Sequence, residues 1–91
     1  MSYKYELVIH KSANKYLNRN AELKKRVKSW LEDALNDPHN HHDGKLKGID
    51  PTQNPIYKKR IGDFRILFHI FDDKLILQII KIASRGQAYK E

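Results

Sequence analysis

The sequence predicts a small α+β domain in the order β-α-α-β-β-β, with two N-terminal helices packed on one face of a mainly antiparallel, twisted sheet. Three observations lead to this class. The first residues alternate between apolar and polar, the stretch after them repeats apolar residues at spacings of three and four, and the C-terminal part returns to alternation in three runs divided by short turns. At 91 residues the chain has room for one core, and neither a repeat nor a linker interrupts it, so residues 1–91 are expected to form a single domain. A domain of this size buries a modest share of its surface, and a partner that covers apolar area adds stability.

Tyr3 to His10 places Tyr3, Tyr5, Leu7 and Ile9 on one side and Lys4, Glu6, Val8 and His10 on the other, the pattern of a strand with one apolar face. Ser12 is positioned to cap a short helix that presents Ala13, Tyr16 and Leu17, and Asn18 to Asn20 breaks it. A longer helix follows. Leu23, Val27, Trp30, Leu31, Ala34 and Leu35 form its apolar stripe, with Lys24, Lys25, Arg26 and Lys28 between them, and Pro38 stops it. Trp30 fits the stripe and reads as core.

Pro38 to Asn54 is irregular, with turns signalled by Gly44, Gly48 and Pro51, and Pro55 just beyond. A loop of that length needs anchoring in a compact domain, and Leu46 and Ile49 are the candidate anchors. The rest reads as a meander. Ile56 to Ile61 sets Tyr57, Lys59 and Ile61 against Lys58 and Arg60. After a Gly62-Asp63 turn, Phe64 to Phe71 sets Phe64, Ile66, Phe68 and Ile70 against Arg65, Leu67, His69 and Phe71. Asp72-Asp73 turns the chain again, and Leu75 to Ala83 is apolar on both faces, as a central strand is. A polar tail, SRGQAYKE, closes the chain.

Lys and Arg number 18 against 11 Asp and Glu, a formal charge of +7 that attracts polyanions without distinguishing RNA, DNA or an acidic protein. The absence of cysteine excludes disulfides and thiolate chemistry and is compatible with a reducing compartment. The N-terminus has no apolar stretch of signal-peptide length, and no run approaches the roughly 20 apolar residues of a membrane helix. A cytoplasmic location with no membrane partner is the expectation. His39, His41, His42 and Asp43 are dense in potential metal ligands. They lack a second ligand cluster and sit in a turn-rich loop, so neither metal nor cofactor is expected, and a polar loop or RNA backbone contacts is the better reading.

With the helices on one side of the sheet, the other side carries Lys58, Arg60 and Arg65, a phosphate clamp or a solvated basic face. His69 lies on that face by alternation, as a proton-transfer group or as a buried structural histidine. Lys24, Lys25 and Lys28 are candidates for nucleic-acid phosphate contacts, against the plainer reading of a solvated helix face. Lys45 and Lys47 are further candidates for RNA binding.

From Tyr3 to Tyr89 the chain resembles the RelE/ParE superfamily of toxin–antitoxin proteins. The resemblance rests on KLKG at 45–48, YKKRIGDFRILFHIFDD at 57–73 and LILQIIKIASRGQAY at 75–89. These are similar to the family's Lys-Leu-x-Gly turn, basic strand, Gly-Asp-aromatic-Arg hairpin and late Arg followed by Tyr. The resemblance implies one of two activities. RelE-like members cut mRNA in the ribosomal A site, whereas ParE-like members act on DNA gyrase, and both are neutralised by a cognate antitoxin. The RelE-like branch is the favoured one, with the ribosome, A-site mRNA and ribosomal RNA as its partners. The RelE catalytic set maps onto Lys58, Arg60, Arg65, Arg85 and Tyr89, with Arg60 standing where the family often has Lys.

These residue types fit metal-independent RNA cleavage by the RNA's own 2′-OH, a group that DNA lacks. The reaction needs a proton acceptor, charge stabilisation on the phosphorane and help for the leaving 5′-oxygen. Lys58 is a candidate base where neighbouring positive charge favours its neutral form. Tyr89 is an alternative base, or a platform that stacks on an mRNA base. Arg85 is suited to stabilising charge near the leaving group, since a guanidinium does not give up its proton. An antitoxin is expected to bring an acidic or amphipathic segment.

Overall fold

The computed structural model describes residues 3–46 and 54–84. Within them the order is β1 (Glu6–Ile9), α1 (Lys11–Asn18), α2 (Ala21–Ala34), a 3-10 turn (Pro38–Asn40), β2 (Gly44–Lys45), β3 (Tyr57–Ile61), β4 (Phe64–Phe71) and β5 (Ile76–Ser84). The strands form one sheet in the spatial order β1-β5-β4-β3-β2. β1 runs parallel to β5, and the other neighbours are antiparallel. The expected order is present with one addition, the two-residue strand β2.

Alternation decides which side of the sheet becomes core. Tyr57, Ile61, Ile66, Phe68, Leu77 and Ile79 project to one side and are buried with Ala13 and Leu17 of α1 and Leu23, Val27 and Leu31 of α2. Phe68 has no exposed surface. Trp30 packs edge-on against it at 5.3 Å between ring centres, and Tyr57 stacks on it at 5.9 Å. Trp30 is thus a core contact that also reaches the surface, where its indole N–H donates to the His41 carbonyl at 2.8 Å.

Several boundaries differ from the sequence pattern, each for a local reason. The first strand begins at Glu6 because the Tyr5 N–H donates to the Leu35 carbonyl beyond α2, at 2.8 Å. His10, not Ser12, caps α1, its Nδ1 accepting the Ser12 N–H at 3.2 Å. α2 ends at Ala34 with Leu35 as its cap, ahead of Pro38, which instead opens the 3-10 turn where its missing N–H leaves no bond unmade. The last turn runs from Asp72 to Leu75, with Leu75 exposed at φ 53°, so β5 starts one residue later than its apolar run. Leu67 pairs with Lys81 but Phe68 with Ile79, which leaves Ile80 as a bulge. The bulge keeps Ile79 and Ile82 both on the core side despite their odd spacing.

The segment after α2 is held by its histidines. His39 Nε2 lies 2.8 Å from an Asp72 carboxylate oxygen, and the Tyr5 hydroxyl donates to the same oxygen at 2.6 Å. His41 Nδ1 bonds the Asp37 carbonyl at 2.7 Å. His42 Nδ1 accepts the Gly44 N–H at 2.9 Å, and its ring lies 4.7 Å from that of Tyr57. Burial holds the His42 imidazole below its ordinary pKa, in keeping with that acceptor role. Among the described residues no group of three or more His, Cys, Asp or Glu is arranged to hold a metal. Leu46 is anchored as expected, its N–H donating to Ile56 O at 2.8 Å, while Ile49 lies outside the described residues. No helix among them is long and apolar enough to cross a membrane.

The Tyr5–Asp72 bond fixes both protonation states. Donation to the carboxylate pushes Tyr5 from its ordinary pKa of 10.0 up to about 12, and the same bond, with His39, holds Asp72 below the usual carboxylate value. The Tyr5 contribution to stability is therefore whole below pH 10.0 and lost as pH rises towards 12. The Asp72 contribution is present above the ordinary carboxylate range and lost as pH falls below it. A tyrosinate titration should find one tyrosine ionising near pH 12. That late transition should disappear in Tyr5→Phe and move back towards the ordinary value in Asp72→Asn, and Tyr5→Phe should lose about 1 kcal/mol at neutral pH in urea unfolding.

Candidate nucleic-acid cleft

The side of the sheet turned away from the helices is where β3 and β4 display their second set of residues. Lys58 and Arg60 are two apart on β3, and Arg65 on β4 stands directly opposite Arg60. All three therefore project to the same side. With Asp43 they line an open cleft of about 390 Å³. Lys58 and Arg65 are half-buried and Arg60 is exposed. Like charges placed directly opposite across a strand pair destabilise it. The Arg60–Arg65 pair is thus a local cost that a bound anion relieves.

Asp43 fixes the edge of this cleft. Its N–H donates to the Lys58 carbonyl at 2.8 Å, and its Oδ2 accepts the Arg60 N–H at 2.6 Å. The carboxylate so supplies the hydrogen bond that a longer β2 would have made to β3. Its other oxygen is 3.8 Å from the Lys59 ammonium. Gly44 follows at φ 134°, a conformation that side chains rarely adopt, and the Lys58 stem passes 3.8 Å from where a β-carbon would stand. The bend over residues 41–43 leads into β2 at Gly44 and sets the carboxylate against β3.

The structure brings together three of the residues singled out from the sequence and separates others. Lys58, Arg60 and Arg65 share the cleft. Lys45 pairs with Tyr57 and so projects to the opposite side of the sheet, its ammonium 5.7 Å from the Tyr57 ring centre. Lys24, Lys25 and Lys28 are exposed on α2, on the helical side. His69 is on the cleft side but only 6% exposed, with Nδ1 2.8 Å from the Pro55 carbonyl, so its place is structural. Lys47, Arg85 and Tyr89 lie outside the described residues. Asp43 is the cleft residue that the sequence reading did not assign to this site. Its only sequence signal is its place before Gly44, which gives no hint of a partner on β3.

Residues 7–89 match the family model described as the ParE toxin of the type II toxin-antitoxin system, parDE. The chain belongs to the RelE/ParE superfamily of toxins. Solved structures share its fold. The isolated E. coli RelE toxin superposes with a TM-score of 0.73 at 20% identity, over 92% of this chain and 87% of that one. RelE in the archaeal RelE–RelB complex from Pyrococcus horikoshii gives 0.67 at 26% identity, over 93% and 99%. The toxin–antitoxin complex RelBE2 from Mycobacterium tuberculosis gives 0.68 at 16%, over 96% and 98%. No curated protein matches the chain significantly.

In this toxin the Asp43 carboxylate is expected to protect the Arg60 amide from exchange with solvent. Asp43→Ala should accelerate hydrogen exchange at that amide by roughly 10- to 100-fold, the loss of one charge-assisted bond. Asp43→Asn, which keeps an acceptor oxygen, should change it much less. Equal rates in both variants and the wild type would remove Asp43 from its place at the cleft edge.

Proposed function

We propose that this toxin is a metal-independent endoribonuclease that cuts mRNA in the ribosomal A site, in the cytoplasm, and is neutralised by a cognate antitoxin. One observation carries the reading: Lys58, Arg60 and Arg65 converge on a single open cleft, with the two arginines directly opposed. Two guanidiniums and an ammonium in that arrangement match the oxygens of a phosphodiester. In the proposed step the 2′-oxygen bonds to the adjacent phosphorus and the bond from phosphorus to the 5′-oxygen breaks. The products are a 2′,3′-cyclic phosphate and a 5′-OH. The 2′-OH proton passes to Lys58 in its neutral amine form or to Tyr89 as the phenolate, and Arg60 and Arg65 stabilise the phosphorane. Arg85 stabilises charge on the leaving 5′-oxygen, which takes a proton from water to become the 5′-OH. The roles of Arg85 and Tyr89 rest on the resemblance of the C-terminal motif.

The match to a ParE toxin family model keeps a second reading, the one that resemblance to ParE-like members implies: inhibition of DNA gyrase by protein binding without nuclease activity. Mapping mRNA 5′ ends in a reconstituted translation reaction separates the two. Codon-phased cuts that need ribosomes are expected from the wild type. Arg65→Ala, Arg85→Ala and Tyr89→Phe should each cut about 100-fold more slowly or worse while remaining folded. Intact mRNA together with inhibited supercoiling would establish the gyrase reading, and full cutting by all three variants would remove the catalytic assignment.

A further inference from the structure

Leu77, Ile79, Lys81 and Ala83 are evenly spaced, and a regular strand would turn all four to the same side. With Leu77 and Ile79 in the core, that register would press the Lys81 ammonium towards the helices, where a charge is costly to bury. The bulge at Ile80 prevents it. Beyond the bulge Ile82 takes the buried position, and Lys81 is turned to the side that bears the cleft. β5 is an interior strand between β1 and β4. An unbroken strand with an apolar residue at 81 would keep its ladder whole, and the bulge gives that up to present a lysine. Bulges re-aim side chains and gather beside active sites.

The neighbours of Lys81 on that side are the cleft residues. Lys81 pairs with Leu67, and Leu67 pairs on its other side with Lys58, so the three form one row across β3, β4 and β5. Arg60, Arg65 and Ala83 form the next row. Lys81 is therefore the diagonal neighbour of Arg65, about 7–8 Å away. It stands two strand spacings, about 10 Å, from Lys58. Leu67 is buried and Ala83 is small, which leaves a low floor between the cations. Lys81 itself is exposed, and among the described residues it has no carboxylate within ion-pair distance.

Charge gives this face a direction. Asp43 lines the cleft at its β3 edge, where a carboxylate repels a phosphate. Lys81 stands on the other side of β4, where a cation attracts one. β1 ends at Ile9, opposite Ile79, so at Lys81 the sheet continues only towards β4. A polyanion that leaves the cleft is thus drawn over β4 to β5. Grooves that bind single strands follow the backbone with successive cations in this way.

We infer that Lys81 holds the phosphate next to the one bound by Arg60 and Arg65, so that a single RNA strand crosses the sheet from β3 to β5. The inference rests on the reading of the cleft as a phosphodiester site, and not on cleavage there. NMR titration with 2′-O-methyl oligonucleotides, which lack the attacking hydroxyl, tests it. With hydroxyl ends, a dinucleotide offers one phosphate and a trinucleotide two. The wild type should bind the trinucleotide roughly 3- to 10-fold more tightly than the dinucleotide, the worth of one added ionic contact. K81Q should erase that gain and change dinucleotide binding by less than about twofold, since separate contacts add. K81R should keep the gain, and R65Q should weaken both ligands. In a salt series the slope for the trinucleotide should fall by about 0.7 in K81Q, the share of one phosphate on a single strand. A gain that survives K81Q, a wild type that binds the two ligands equally or not at all, or equal weakening of both ligands by K81Q would each overturn the proposal. A wild type that shows the gain yet cuts no mRNA on ribosomes would fail the cleavage reading and leave Lys81 in its place.

Discussion

Tyr57 joins the core of this protein to its cleft, and much of the architecture depends on that residue's two sets of neighbours. On one side its ring stacks on Phe68, the fully buried centre of the core, which in turn carries Trp30 of α2. On the other it receives the rings of His39 and His42 and the ammonium of Lys45. The irregular segment after α2 is thus pressed onto a rigid aromatic stack. Its position sets β2, β2 sets Asp43, and Asp43 bonds the backbone on either side of Lys59. Partial burial raises the Tyr57 hydroxyl pKa, so the ring stays neutral through the physiological range. Packing at one residue is therefore transmitted to the cleft through short, hydrogen-bonded steps.

A sheet covered by helices on one side faces a constraint on the other. β4 and β5 are interior strands, and their second faces must be either partly covered or polar. The result here is mixed. Leu67, His69 and Ala83 are buried on the cleft side, whereas Lys58, Arg60 and Arg65 gather towards the β3–β4 hairpin. Charge is concentrated where the sheet is least covered. Asp43 moderates it, and the carboxylate's two oxygens are directed to the Arg60 amide and the Lys59 ammonium.

How much of this was legible beforehand follows from the kind of signal each feature leaves. β3, β4 and the α2 stripe were readable because one face of each is committed to the core, which writes a period of two or about 3.6 into the sequence. The same alternation placed Lys58, Arg60 and Arg65 on one side. β2 was not readable, since two residues carry no period and its existence depends on pairing with a strand more than ten residues away. The His10 cap, the Ile80 bulge and the positive φ of Leu75 are likewise set by neighbours in space. The packing of the histidine-rich stretch was not readable for the same reason. Its rings are used as packing and hydrogen-bonding groups against Tyr57 and Asp72, partners that the local sequence does not show. Asp43 belongs with these features, because its role is created by the pairing of β2 with β3.

The open cleft also bears on how such a small surface could act on RNA. Orientation is worth effective molarities of about 10⁵–10⁸ M in well-positioned reactions, and that requires the reacting atoms to be held near attack geometry. A cleft of about 390 Å³ that lies open to solvent supplies charge more readily than orientation. Charge alone binds any phosphate, so a nuclease built this way would be slow and unselective on free RNA. A second grip on a separate part of the same large RNA changes the arithmetic, since the strand in the cleft is then presented at an effective concentration set by geometry.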